Sequence, residues 1–296
     1  MDVGIETRNN NHKKNNMKDV HESYQRDGFY LVKGLFEKKK IQNAAHWLRS
    51  KNLKKLAKSF MDQSPGDPLA KYQSIHNGST PVAEIAADPK MIQFASQLAR
   101  DEVYIWGSLV NLKAAWYGRV DYYHQDFANY EPRGYKQATI VNCFTFLDHH
   151  NINNAALNVF PGSHKEGLLN HMSVFDINGM HKLVVSPEDL NRTHKKYGHK
   201  VINAEPGDVL FFHSLLIHGS GHNISPNPRM IILTQVNPKK DRPLNSSSKV
   251  RKFNMSRAKQ EIESAKKKYE FYKSKYEKQL KNKKVIFNNP IPKEEM

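Results

Sequence analysis

The sequence predicts a mainly β fold, a double-sheet barrel or jelly roll supported by N-terminal helices. Beyond Asp101 the chain consists of short apolar or alternating runs, rich in β-branched and aromatic residues and separated by turn residues, as strands are. No helical patterns alternate with these runs, which argues against a parallel, doubly wound sheet and favours a barrel or jelly roll. With 296 residues, of which 38% are hydrophobic, the chain can form one sizeable core.

The N-terminal third supplies the helices. Residues 20–28 predict a short helix that ends at its glycine, and residues 29–36 predict a strand followed by a turn. Residues 38–50 and 88–101 have apolar residues at helical spacing. In the second of these, Asp88 can cap the helix ahead of a proline at the first helical position.

Seven runs supply the strands. Their lengths and their β-branched and aromatic content fit strands, and neither a Gly-rich phosphate loop nor an internal repeat interrupts them. In chain order they are VYIW, LVNLKAAW, ATIVNCFTFL, ALNVF, KVINA, DVLFFHSLLIH and RMIILTQV.

We divide the chain into three parts. Residues 1–19, rich in Asn and Lys, are expected to be a disordered tail, and residues 20–238 to form the folded domain. Residues 239–296 form a basic extension with a helix over 254–280, whose apolar residues lie on one face. That face would dock on the domain, pair with a second copy, or contact RNA or a membrane surface. A monomer and a homodimer therefore both remain open. The face consists of Met255, Ala258, Ile262, Ala265, Tyr269, Tyr272, Tyr276 and Leu280.

The positive charge is concentrated in the extension. The chain has a net charge of +17, and residues 239–296 contribute 18 Lys and Arg against 7 Asp and Glu. A basic tail affects solubility and weak association more than the chemistry of a folded core. The mildly basic body therefore gives little support to a nucleic-acid partner.

Cysteine content and hydropathy exclude other classes of protein. Cys143 is the single cysteine, so the chain has no internal disulfide and no Cys-rich zinc site. No run reaches eighteen apolar residues, and the polar N-terminus lacks the apolar core of a secretory signal. We therefore expect a soluble, cytoplasmic protein without a membrane partner.

Two residues in the segment YYHQDF could bind a metal together. Residues i and i+2 of a strand point to the same face, so His124 and Asp126 can reach one ion. With a distant histidine they would form a 2-His-1-carboxylate triad, which leaves one face of an octahedral iron open. The spacing alone is weak support, because His164-Lys165-Glu166 repeats it directly after a Pro-Gly-Ser turn.

The third ligand has three candidates in a later segment, residues 206–233. His213 continues an aromatic strand and could be a core residue, whereas His222 lies in a Gly/Asn-rich turn and is expected to face solvent. His218 ends an apolar run just before Gly-Ser-Gly. The pattern of residues alone does not choose among them.

The chain resembles the phytanoyl-CoA dioxygenase family, and within it the ectoine hydroxylase branch, over roughly residues 20–238. Five pieces match in order, and the last is the most specific because it pairs a histidine ligand with a later arginine. They are YQRDGF (24–29), NLK (111–113), HQDF (124–127), PGSHK (161–165) and HGSGHNISPNPR (218–229).

The resemblance implies a double-stranded β-helix of the jelly-roll or cupin-like type and a site for Fe(II), 2-oxoglutarate and O2. It implies that His124, Asp126 and His218 bind the iron, with no catalytic side chain beyond the metal site. Arg229 would bind the far carboxylate of 2-oxoglutarate, because a guanidinium can pair a buried carboxylate bidentately. By the same resemblance Ser220 would donate a hydrogen bond beside it, and Asn111 and Lys113 would be further contacts.

The implied reaction is oxidative decarboxylation of 2-oxoglutarate to succinate and CO2, coupled to hydroxylation of a small polar metabolite. Related halogenases carry a small residue in place of Asp126, so its carboxylate favours hydroxylation, with desaturation or ring closure still open. An amino-acid-like molecule, a phosphonate or an acyl thioester would suit the mildly basic body. Candidate substrate contacts are Trp116, Phe127, Tyr130 and Arg133.

Departures from the ectoine hydroxylase pattern argue against ectoine itself. Gly107 stands where that branch has a glutamine, and the aromatic stretch after the ligands is altered.

Two functions of other classes remain as alternatives. They are an oxygenase acting on nucleic acid, suggested by the basic tail, and a non-catalytic barrel that uses the fold for binding.

Overall fold

A computed structural model describes residues 17–50, 71–116, 118, 120–175 and 181–241, with six more residues in the C-terminal segment. The helices are α1 (Met17–Asp27), α2 (Lys38–Ser50), α3 (Pro81–Ala86), α4 (Pro89–Ala99) and α5 (Pro187–Tyr197). The strands are β1 (Phe29–Val32), β2 (Lys71–Gln73), β3 (Val103–Lys113), β4 (Asp121–His124), β5 (Val141–Phe146), β6 (Leu157–Val159), β7 (His171–Phe175), β8 (His181–Val185), β9 (Lys200–Val201), β10 (Val209–His213), β11 (His218–Ser220) and β12 (Arg229–Pro238).

Antiparallel pairing builds two sheets and a hairpin. The major sheet has the order β1-β10-β5-β12-β3-β2, and the minor sheet has the order β4-β11-β6-β9. Strands β7 and β8 form a separate hairpin. The mainly β architecture with supporting N-terminal helices is therefore as predicted.

Alternation along β12 gives the major sheet two buried faces. Met230 and Ile232 belong to a core that packs against α2, α3 and α4. Ile231 and Leu233 belong to a second core shared with residues of the minor sheet. Because each fully buried apolar side chain stabilises the fold by about 1.5–3 kcal/mol, this twofold burial makes β12 a central element. The inner face, between the sheets, is where the candidate site lies.

The helix signals predicted in the N-terminal third are confirmed. Helix α2 covers residues 38–50, and α1 ends one residue before Gly28. At the start of α4 the Asp88 side chain accepts hydrogen bonds from the backbone N–H groups of Lys90 and Met91, and Pro89 occupies the first turn. Helix boundaries marked by a cap are thus readable from sequence.

Several boundaries were wrong. Helix α1 begins at Met17, so the last three residues assigned to the tail are its first turn. The runs VYIW and LVNLKAAW form one strand, β3, with an irregularity in its pairing near Trp106, and it ends at Lys113. The run DVLFFHSLLIH is two strands, because the chain turns between His213 and His218.

The C-terminal segment is described at six positions only. Residues 263, 267, 270, 271, 274 and 278 are helical and exposed. The apolar face predicted between residues 255 and 280 lies outside the described residues, as do residues 1–16 of the predicted tail. Within the part of the chain that is described, no helix has the length and apolar character to cross a membrane.

Candidate active site

The two candidate histidine ligands lie opposite each other on neighbouring strands of the minor sheet. His124 ends β4, His218 begins β11, and the two are direct partners in the antiparallel register. The sequence predicted that Asp126 lies on the same strand as His124. It instead begins a short 3-10 helix, Asp126–Asn129. Because Gln125 between them is extended, Asp126 still follows His124 onto the same side.

The three side chains come together. The Nε2 atom of His124 lies 3.4 Å from Oδ1 of Asp126, and Nε2 of His218 lies 3.9 Å from Oδ2 of Asp126. The ligand atoms of all three lie within 4.8 Å of one another. Two imidazoles and one carboxylate at this spacing can bind one face of an octahedral ion such as Fe(II).

Backbone carbonyls orient both imidazoles. Nδ1 of His124 lies 2.7 Å from the carbonyl oxygen of Tyr122, and Nδ1 of His218 lies 3.0 Å from that of Leu216. Each Nδ1 therefore carries the proton and donates it, which leaves the Nε2 lone pair directed at the ion.

Burial and charge act differently on the two rings. Burial and the neighbouring His124 lower the pKa of His218 to about 4. Burial also works to lower the pKa of His124, but its hydrogen bond to Asp126 and the charge of that carboxylate outweigh burial and raise the pKa. A neutral His218 suits a metal ligand, because only the unprotonated nitrogen can bind a cation.

The other histidines lie elsewhere. His213 ends β10, and its Nδ1 accepts a hydrogen bond of 3.1 Å from the backbone N–H of Leu215 while its ring contacts His164. His222 is exposed. His164 lies in the 3-10 helix Ser163–Glu166, which is the structural turn that the Pro-Gly-Ser motif indicates. Among the described residues, only the triad gathers three ligands of this kind.

Two buried cations face each other near the triad. Arg229 and Lys113 are direct cross-strand partners on β12 and β3, and both are almost fully buried. The ammonium of Lys113 lies 3.2 Å from a carboxylate oxygen of Asp121 and donates to the carbonyl of Gly221 at 3.0 Å. Neither side chain therefore faces solvent.

The guanidinium of Arg229 has unused hydrogen-bonding capacity. One terminal nitrogen donates to the carbonyl of Ala155, but Nε is buried and has no partner among the described residues. Burial lowers the pKa of Arg229 to about 10, and the carboxylates of Asp121 and Asp148 act against that shift. The group stays charged at neutral pH, and a carboxylate entering the cavity would supply the missing partner.

A cavity of about 90 Å³ joins the triad to Arg229. Ser220 and Asn111 contribute to its wall, and Ser220 donates a hydrogen bond of 3.2 Å to Asp121. The remaining wall is mostly apolar. The lining residues are Leu109, Asn111, Asp121, His124, Asp126, Phe144, Leu157, His218, Gly219, Ser220, Arg229, Ile231 and Leu233. A mostly apolar wall beside a possible metal-binding triad and a buried cation is suited to chemistry that must exclude water.

Sequence reasoning missed the apolar part of this wall, although its signal was present. Ile231 and Leu233 lie two and four residues after Arg229, and Leu109 lies two residues before Asn111. The period of two along a strand places each on the inner face. Asp121, which pairs with Lys113, gave no such signal.

The four substrate candidates have different environments. Phe127 and Tyr130 are buried together in a small aromatic cluster. Trp116 is 62% exposed and is not among the residues that line the cavity. Arg133 ends the 3-10 helix Glu131–Arg133, and its side chain is outside the described set.

Comparison with known proteins adds independent information. A family model for phytanoyl-CoA dioxygenase (PhyH) matches residues 24–231. Ectoine dioxygenase of Sphingopyxis alaskensis is 28% identical over 217 residues, which cover 70% of this chain and 71% of that enzyme. L-proline trans-4-hydroxylase of Streptomyces griseoviridis is 28% identical over 173 residues, or 55% of this chain and 65% of the other.

Solved structures of ectoine dioxygenase (EctD) also match this chain. The crystal structure of EctD from S. alaskensis with 2-oxoglutarate and 5-hydroxyectoine matches with a TM-score of 0.65 and 27% identity, over 76% of this chain and 77% of that one. The crystal structure of the same protein with bound Fe matches equally well.

Proposed function

This chain belongs to the phytanoyl-CoA dioxygenase family and is a 2-oxoglutarate-dependent oxygenase, and from that premise we propose that it hydroxylates a small polar metabolite. We infer that His124, Asp126 and His218 hold the iron. Bound Fe(II) supplies the activation of O2 that is coupled to decarboxylation of 2-oxoglutarate to succinate and CO2. The protein positions the reactants and excludes water.

The cationic end of the cavity is the proposed anchor for 2-oxoglutarate. Arg229 would pair with the far carboxylate, using the Nε that has no partner among the described residues, and Lys113 adds positive charge beside it. Ser220 and Asn111 line the same wall and can donate to carboxylate oxygens. The anchor lies in the same cavity as the triad, which orients the keto acid end toward the iron.

A polar layer borders the cavity on the inner face of the major sheet. Gly107, Gln235 and Asn142 stand side by side in the register of β3, β12 and β5. Each is two residues from a lining residue of its own strand, so the layer continues the cavity wall. The substrate would therefore lie between this layer and the triad.

Hydrogen bonding in this layer supports a polar substrate. The Gln235 amide donates to Oδ1 of Asn142 at 2.9 Å and to the Tyr130 hydroxyl. The Asn142 amide nitrogen is buried and has no partner among the described residues. An acceptor such as a carbonyl oxygen would satisfy it. The layer holds no charged side chain, which favours an uncharged polar group there, because burying an unpaired charge is far costlier.

The proposal extends to domain organisation. Residues 17–238, with helix α1 included from Met17, would form the catalytic domain, and its two sheets would close as a double-stranded β-helix. The tail before them and the basic extension after them would lie outside the site. The intact carboxylate of Asp126 favours hydroxylation.

One observation carries the proposal: the triad and a buried arginine with a free donor share one cavity. The experiment measures succinate formed from 2-oxoglutarate under Fe(II) and air, across L-proline, ectoine, other small metabolites and single-stranded oligonucleotides. His218→Ala should abolish succinate formation, while His222→Ala, a matched change at an exposed histidine, should retain it. Iron binding and normal turnover in His218→Ala would refute the metal site.

The substrate panel decides between classes. Stimulation by a small metabolite supports the proposal, and stimulation by oligonucleotides alone would replace it with a nucleic-acid oxygenase. Absence of any Fe(II)-dependent succinate would favour a non-catalytic barrel.

A further inference from the structure

Gln125, which separates two of the proposed iron ligands, is completely buried. Its amide nitrogen donates to the carbonyl oxygens of Gly167, at 2.8 Å, and Leu215, at 2.7 Å. Its amide oxygen accepts from the backbone N–H of Leu169 at 2.8 Å. The side chain therefore binds backbone groups of two segments that are far away in sequence.

One of these segments delivers the third ligand. Leu215 lies in the turn between β10 and β11, three residues before His218, and the next residue, Leu216, accepts the hydrogen bond from Nδ1 of His218. The turn also contacts the other side of the site, because the N–H of Phe127 donates to the carbonyl of Ser214 at 3.0 Å. The amide of Gln125 thus connects the His124–Asp126 segment to the His218 segment directly.

The second segment, residues 167–171, also binds the backbone of Gln125. The N–H of Gln125 donates to Nε2 of His171 at 3.1 Å, and Nδ1 of His171 lies 2.9 Å from the carbonyl of Leu169. Because Nε2 accepts, Nδ1 must carry the proton and donate it. Gln125 is therefore held on both its backbone and its side chain by residues 167–171.

We propose that Gln125 is a positioning residue that sets the geometry of the iron ligands, an inference that rests on the proposed function of the triad. Its extended backbone turns Asp126 toward His124, and its amide fixes the distance from that pair to the His218 segment. Residues outside the first coordination shell that orient ligands typically change metal affinity 10- to 100-fold when they are replaced.

The test compares two substitutions of buried amides. Gln125→Met keeps the side-chain length and removes all three side-chain hydrogen bonds. Asn237→Leu removes three from an equally buried amide at the far end of β12, where Asn237 contacts Tyr104, Asp241 and Thr139. Both should lower the thermal midpoint of the metal-free protein, because both lose buried hydrogen bonds.

Only Gln125→Met should affect the metal. Anaerobic competition with a chelator should give a dissociation constant for Fe(II) roughly 10- to 100-fold higher than wild type. The visible band of the Fe(II) complex with 2-oxoglutarate should shift, because it reports the ligand geometry. Asn237→Leu should leave both measurements unchanged.

The inference is overturned if folded Gln125→Met binds Fe(II) as tightly as wild type, or if Asn237→Leu weakens binding equally. If the methionine variant does not fold, Gln125→Glu takes its place in the test. Glutamate keeps the side-chain volume and accepts the hydrogen bond from the N–H of Leu169, but it cannot donate to the carbonyls of Gly167 and Leu215. It should show the same loss of affinity, and wild-type affinity in it would equally refute the role. Wild-type protein that fails to bind Fe(II) would instead refute the proposed function, so the two failures are distinguishable.

Discussion

Replacing Arg229 with methionine should weaken 2-oxoglutarate binding while leaving the three proposed iron ligands in place. Methionine keeps most of the volume but removes the charge that Arg229 presents to the cavity. Arg229 is 3% exposed and charged at neutral pH, and its Nε has no partner among the described residues. A co-substrate carboxylate would thus lose a buried, charge-assisted interaction.

The magnitude follows from that burial. A hydrogen bond to a charged group contributes about 1.5–3 kcal/mol. With about 1.4 kcal/mol per tenfold change, the dissociation constant should rise roughly 10- to 150-fold. The matched control is Arg192→Met, since Arg192 is half exposed and pairs with Glu166 and Asp189 on the protein surface.

The assay is an anaerobic titration of the Fe(II) protein with 2-oxoglutarate, followed by the visible band of the complex. Fe(II) affinity and the thermal midpoint are measured in parallel, because Arg229 also donates to the carbonyl of Ala155. A titration that superimposes on wild type, in a folded protein that binds iron normally, would refute the anchoring role. Weakened binding in the Arg192→Met control would show that the effect is not specific to the cavity.

Two predictions concern stability. In urea unfolding, Gly28→Ala should destabilise the fold more than Gly134→Ala. Both glycines have a positive φ, which costs an alanine about 1–2 kcal/mol. Only at Gly28 would the new Cβ also lie 2.5 Å from a ring nitrogen of His164. Equal losses would show that the contact relaxes. The hydrogen bonds from Lys196, Tyr197 and Arg192 hold the pKa of Glu166 at about 2, against an ordinary 4.5. A lowered folded-state pKa gives stability that is present above pH 4.5 and lost as the pH falls towards 2. Thermal melts of Glu166→Gln should therefore show less loss over that window, and an identical acid dependence would contradict this.

Local patterns explain what could be predicted from the sequence. The cap at Asp88 and the apolar spacing of residues 38–50 gave helix positions because the relevant contacts lie within a turn or two of chain. The spacing of His124 and Asp126 brought both to one side because one extended residue separates them. Contacts between residues that are close in the chain can be inferred from the sequence alone.

Non-local contacts explain what could not be predicted. Lys113 looks like a solvated lysine until β12 pairs with β3 and buries it beside Arg229. The turn between β10 and β11 contains no glycine or proline, so the run seemed continuous. Helix α5, whose sequence is largely polar, and the β7–β8 hairpin, whose strands have only five residues each, were not predicted.

The charges around the cavity make its two ligands interdependent. Arg229 and Lys113 are balanced by Asp121 and Asp126, so the protein groups sum to zero with the histidines neutral. Fe(II) alone would leave two uncompensated positive charges in a buried space, and 2-oxoglutarate alone would leave two negative ones. Together they restore neutrality, so each should bind more tightly when the other is present. Thermodynamic linkage makes that coupling equal in both directions. Binding of either ligand would therefore favour binding of the other, and the site holding both would be more populated than independent binding predicts.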